Sequence, residues 1–136
     1  MVSAEFFIFG VVAASALATL VSRVVPTQSA QFWAAALIIA ALVYIGLALR
    51  APLGPLLLLE SAGVLVYGFV AWLGAARSAW YLAIGWIGHV LWDMFQPASS
   101  KPFVPAWYPV SCAGFDTVVA IWLAVTLWRR SRLVEA

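Results

Sequence analysis

Arg23, Arg50, Arg77, Lys101 and Arg129 divide this chain into stretches of similar length, and those stretches are almost wholly apolar. That spacing constrains the fold more than any other feature. A helix rises 1.5 Å per residue, so about 20 apolar residues cross the hydrocarbon core of a bilayer. Of the 136 residues, 66% are hydrophobic and 9% charged, against about 25% charged in an ordinary soluble domain. Too little polar surface remains to cover a water-soluble globule. The expected fold is all-α: one polytopic membrane domain over residues 1–136, a compact bundle of five transmembrane helices.

The spans are expected near residues 5–25, 31–49, 52–75, 78–96 and 109–128. Pro26, Pro52, Pro55, Pro97 and Pro109 sit at their edges, where proline ends a helix or is tolerated in its first turn. No Lys or Arg precedes the first apolar run, and Glu5 occupies the place of a positive n-region, so the run is expected to be a retained span. Residues 98–108 form the longest connection. Phe103, Val104 and Trp107 give it an apolar face, and it is expected to lie in the membrane interface as a partial lid.

Orientation follows from the basic residues. With the N-terminus outside, Arg23, Arg77, Arg129, Arg130 and Arg132 fall on the cytoplasmic side and Arg50 and Lys101 outside. This arrangement is the expected one, with a cytoplasmic C-terminus. Trp107 and Tyr108 then belong to an outer aromatic belt. The net charge of +2, without a basic stripe, argues against a nucleic-acid partner. Cys112 is the only cysteine, so no internal disulfide can form.

Three of the five acidic residues, Glu60, Asp93 and Asp116, lie inside spans, as does the only histidine, His89. Counting 1.5 Å per residue from the outer helix ends, all four fall roughly 6 to 12 Å deep, in one layer of the outer half. His89 and Asp93 are four residues apart, on one helical face. A charged side chain in lipid costs roughly 3 kcal/mol on insertion scales and is a functional candidate by default. Gathered together, the carboxylates cannot all be ionised without a cation, which protonation, a charged His89 or a metal would supply. Tyr44, Tyr67, Trp86, Trp92 and Cys112 are placed to line such a site. The bland alternative is polar glue between helices, at ~0.6 kcal/mol per hydrogen bond. Asparagine or serine would serve as glue at lower insertion cost, so three carboxylates and a histidine exceed what glue needs.

Gly85, Trp86, His89, Trp92 and Asp93 make a G-W-x-x-H-x-x-W-D pattern, followed by C-x-x-x-D at Cys112 and Asp116 and A-x-W at Ala120 and Trp122. This region resembles an uncharacterised family of small bacterial integral-membrane proteins with a domain of unknown function. The resemblance implies a bacterial cytoplasmic membrane location and no particular activity. Where members continue W-D-x-x-H-H, this chain has Gln96 and Pro97, which argues against a multi-histidine metal site.

Three functions are compatible with these residues. The first is an acid–base enzyme, an isomerase, cyclase or hydrolase, on a small lipophilic substrate. His89, oriented by Asp93, would be its base, and Glu60 or Asp116 its acid. It would need no cofactor. The second is a divalent metal held by His89, Asp93, Asp116 and Glu60. The third is a non-enzymatic proton-coupled carrier or an accessory subunit, with another copy or another membrane subunit as partner.

Overall fold

The computed structural model describes residues 4–50, 54–95 and 103–134. Five helices follow one another: α1 Ala4–Val24, α2 Ser29–Ala48, α3 Pro55–Ala76, α4 Trp80–Phe95 and α5 Trp107–Val134. There is no strand among the described residues. The helices α1, α2, α3 and α5 are long and apolar enough to cross a membrane. α4 has 16 residues, about 24 Å at helical rise.

The ends differ from the expected spans in ways the residues explain. Pro55 opens α3 in its first turn, and residues 51–53, which include the expected start at Pro52, lie outside the described residues. Ser78 and Ala79 precede α4, and Gln96, its expected end, is also outside them. α5 begins two residues before Pro109, which falls within its first turn, where a missing N–H costs nothing. At its other end α5 continues through Arg129, Arg130 and Arg132. Hydropathy marks the edge of an apolar zone, and arginine is a good helix former, so the helix has no reason to stop there.

Each helix buries a narrow stripe. In α1 it is Gly10, Ala14, Ala18 and Val21, and in α3 it is Glu60, Gly63, Tyr67, Ala71 and Gly74. The remaining faces are apolar and outward: Phe9, Leu58, Leu65 and Phe95 are 65%, 74%, 75% and 79% exposed. The polar side chains Glu60, His89, Asp93, Ser111 and Asp116 are buried. A water-soluble protein inverts this distribution. Small residues along the inner stripes let backbones approach, the usual basis of helix packing in lipid.

α5 joins α1 to the rest of the bundle. It packs extensively against α1 on one side and α4 on another, while α2 packs against α3, and α3 and α2 against α4. Phe6 meets Trp107 at one end of the α1–α5 pair, and Ser22 shares a pocket with Arg130 at the other, so these two helices run in the same direction. At their crossing Gly10 faces the Ser111 carbonyl and the Phe115 amide, and Gly114 faces the Phe7 carbonyl and the Val11 amide. No side chain fits at either position. Between α2 and α5 there is no such backbone approach. The apolar core includes Ala18, Trp33, Leu37, Ala71, Leu82, Val119 and Leu123, and it extends through Ala41, Tyr67 and Trp86 to the polar residues.

Candidate functional site

His89 projects from the inner stripe of α4, between Leu82 and Trp86 one way and Asp93 the other. Its Nδ1 lies 2.8 Å from Asp116 Oδ2 on α5 and 3.7 Å from Asp93 Oδ2 on its own helix. The shorter distance is a hydrogen bond. In the neutral ring Nδ1–H donates to Asp116, which leaves the Nε2 lone pair as acceptor. Nε2 is buried and has no hydrogen-bond partner. The orienting carboxylate is therefore Asp116, from across the helix interface, rather than the expected Asp93. A residue four positions along a helix reaches the ring only at its edge, whereas α5 presents Asp116 directly.

His89, Asp93 and Asp116 offer ligand atoms that all lie within 4.8 Å of one another. Glu60 stands apart from that trio. It lines a crevice between α2, α3 and α4 together with Tyr44, Tyr67, Trp92 and His89. Its Oε2 accepts from Trp92 Nε1 at 3.4 Å. The Trp92 ring fits there because Gly63 has no side chain: a Cβ would stand 2.9 Å from it. As packed, the crevice has no room for a water molecule. The Tyr44 hydroxyl lies within hydrogen-bonding reach of the Asp93 carboxyl. Tyr67 donates from its hydroxyl to the Gly88 carbonyl at 3.0 Å, and its ring meets His89 edge-on at 5.0 Å. The imidazole is thus held on three sides.

Asp116 has a second aspect. It lines an open groove of about 270 Å³ between α2 and α5. Ala36, Ile39 and Ala40 of α2 form one wall, and Tyr108, Cys112, Phe115 and Asp116 of α5 the other, with Trp86 of α4 between them. Trp86 is 1% exposed, packed edge-on against Trp33 and tilted against Phe115, both at 6.0 Å. Its Nε1–H has no partner. Tyr108 pairs with Tyr44 at 5.7 Å across one end of the groove and with the Cys112 thiol below it. Tyr108 and Phe115 escaped the sequence reading. Tyr108, expected in the aromatic belt, is half-buried and precedes Cys112 and Asp116 by one and two turns. That shared spacing was the available signal. Of the expected lid, Val104 is buried, Phe103 half-buried and Trp107 45% exposed within α5, while residues 98–102 lie outside the described residues.

Fold and site together define an all-helical protein, capable of spanning a membrane, with a buried imidazole held by carboxylates. The chain belongs to the family of unknown function DUF6010, whose sequence profile matches residues 6–128. No curated protein and no solved structure matches it.

Proposed function

We propose that this is an integral protein of the bacterial cytoplasmic membrane that catalyses proton transfer on a small lipophilic substrate. Five spans, α4 included, with an external N-terminus satisfy the five-to-two division of basic residues. A C-terminal reporter should therefore be active only in the cytoplasm.

The observation that carries the reading is the position of Asp116. One side of its carboxyl group takes the 2.8 Å hydrogen bond from His89, and the residue also lines a groove that opens laterally where lipid would lie. A molecule in that groove lies beside Asp116, one of its lining residues. Asp116 is then the group that exchanges a proton with substrate, and His89 the positioning residue that holds it and stabilises its charge. Asp93, 3.7 Å from the same ring nitrogen, adds negative charge behind the pair. Low polarity around the groove strengthens each of these interactions.

Proton transfer to and from carbon leaves a mark that needs no known substrate. Lipids extracted from the host membrane and incubated with the purified protein in heavy water should gain deuterium at carbon, read by mass spectrometry. General acid–base groups contribute roughly 10²- to 10⁴-fold, so Asp116→Asn should lose at least ~100-fold of that incorporation. Asp93→Asn should lose less, because Asp93 does not line the groove. Incorporation equal to wild type in Asp116→Asn would sink the proposal.

A second reading rests on the spacing of His89, Asp93 and Asp116. Ligand atoms within 4.8 Å of one another would have to draw in by a few tenths of an ångström to share an ion, since two bonds of about 2.0–2.2 Å to nitrogen or oxygen span at most about 4.4 Å. One nitrogen and two carboxylates would leave a coordination position open toward substrate. Metal analysis of protein purified without chelator decides this: a stoichiometric divalent ion, lost in Asp93→Asn, would replace the metal-free reading.

A further inference from the structure

We infer that the groove between α2 and α5 binds a lipophilic carbonyl compound, its oxygen accepting a hydrogen bond from Trp86 Nε1 and its neighbouring carbon facing Asp116. The binding rests on the groove itself; the fate of the bound molecule rests on the proton-transfer reading above.

Three observations lead there. The first is an unpaired donor. An indole N–H can only donate, and burying it without a partner is unfavourable. Trp86 has this orphan N–H while being 1% exposed, and its ring is fixed by Trp33 and Phe115. An acceptor oxygen in the groove would complete it.

The second is shape and lining. Ala36 and Ala40, one turn apart, keep the α2 wall low, and the groove is otherwise apolar apart from Asp116, Cys112 and Tyr108. Tyr108 and Cys112 are engaged with each other. That leaves one donor and one carboxyl group in an apolar channel, which matches a molecule with an apolar chain and a single polar acceptor.

The third is chemical balance. A carbonyl group is an acceptor without a donor, and it acidifies the C–H bonds beside it. With Trp86 N–H on its oxygen, Asp116 can take a proton from the adjacent carbon. The C–H electron pair becomes a C=C bond, and the carbonyl π pair moves to the oxygen, where the indole N–H stabilises it. Returning the proton to the same carbon restores the substrate. Returning it to the far carbon of a conjugated system moves a double bond. No oxidant, reductant or second substrate is consumed. An alcohol in the same place would have no proton whose transfer leads to a product.

The test uses the full chain, purified in mild detergent, with methyl undecyl ketone, tridecane, and the secondary alcohol made by reducing the ketone. Native mass spectrometry reads occupancy. One ketone should bind per chain, about tenfold more tightly than tridecane, the yield of one ordinary hydrogen bond. Trp86→Phe keeps an aromatic ring and should abolish that preference. If Trp86→Phe does not fold, Ala40→Phe fills the groove from the opposite wall and should abolish ketone binding instead. Equal binding of ketone and tridecane overturns the carbonyl assignment, as does an unchanged preference in Trp86→Phe; the alcohol, which can also accept from Trp86, should bind without exchanging hydrogen at carbon. In heavy water the bound ketone should also exchange the hydrogens beside its carbonyl, and Asp116→Asn should stop the exchange. Selective binding without exchange leaves the groove assigned and refutes the proton-transfer reading. Exchange with no Trp86-dependent binding does the reverse.

Discussion

The two flanks of α5 are built on opposite principles. Toward α1, Gly10 and Gly114 bring backbone against backbone, and nothing larger than hydrogen fits between. Toward α2, the helices stand apart, and Ala36 and Ala40 border open space. Small residues occur on both flanks, so small size by itself does not determine close packing. On the α1 side the partner also presents a glycine. On the α2 side it presents Tyr108, Cys112 and Phe115, which hold the wall of the groove away. The closed flank fixes the height and rotation of α5, and hence of Asp116. The open flank gives Asp116 something to face. A site on a rigid helix beside a permanent opening needs no moving part to admit a lipophilic molecule.

The sharpest way to break this comparison is to add bulk to both flanks, more of it on the open one. Gly114→Leu drives a side chain into the Phe7 carbonyl and the Val11 amide. Backbone cannot yield as a flexible side chain does, so the loss should exceed the roughly 1–3 kcal/mol of ordinary overpacking. The variant should fail to elute as a monodisperse species in detergent. Gly68→Leu is the control for glycine loss alone: no atom stands within 4 Å of a Cβ there. It should cost no more than about 0.5 kcal/mol. Ala36→Phe, which enlarges a residue on the open flank, should also fold with wild-type thermal stability. If it is as damaging as Gly114→Leu, the groove is not open in the folded protein.

A smaller effect tests the other side of His89. Gly63→Ala places a methyl group 2.9 Å from the Trp92 ring. The indole must shift, and its 3.4 Å hydrogen bond to Glu60 is lost with it. Overpacking by one methyl group and loss of a weak bond should together cost about 1–2 kcal/mol, measured as a lowered unfolding midpoint. Since none of Glu60, Gly63 and Trp92 lines the groove at Asp116, deuterium incorporation in this variant should stay near wild type. Loss of incorporation without loss of folded protein would mean that Glu60 takes part in the chemistry.

Much of this architecture was legible in the sequence because lipid imposes simple rules. The periodic placement of basic residues and proline located five helices, their described ends within three residues except at the end of α5, which runs six residues past the expected 128. Depth counting brought His89, Asp93 and Asp116 into one layer without any contact information. What the sequence could not supply was rotation. In α2 and α3 both the inner and outer faces are apolar, so hydrophobic periodicity does not say which face turns inward. The small and polar residues do: Glu60, Gly63, Tyr67, Ala71 and Gly74 trace the buried stripe of α3. Applied to α5, the same rule selects Ser111, Ala113, Gly114, Asp116 and Ala120. Partner choice is harder still. Whether Asp93 or Asp116 takes the imidazole depends on how α4 and α5 cross, which no local spacing encodes. Glu60 shares a crevice with His89 without joining the close His89, Asp93 and Asp116 grouping, a difference in rotation that equal depth on three helices does not specify.

The smallest predicted effect concerns Tyr67, and it separates glue from function at the imidazole. Its hydroxyl donates to the Gly88 carbonyl at 3.0 Å, and its ring meets His89 at 5.0 Å. Gly88 lies within α4, where its carbonyl already accepts a helical bond, so the hydroxyl adds a second. Interhelical hydrogen bonds in membrane proteins average ~0.6 kcal/mol. Tyr67→Phe keeps the ring against His89 and removes only that bond, so the unfolding midpoint should fall slightly, by what ~0.6 kcal/mol produces. Deuterium incorporation should be unchanged, because the ring still supports the imidazole and Asp116 is untouched. Tyr67→Leu removes the aromatic face as well, and it should loosen His89 and reduce incorporation more than it reduces stability. If both variants lower activity only in proportion to folded protein, Tyr67 is packing alone, and the orientation of His89 is set by Asp116 without help from α3.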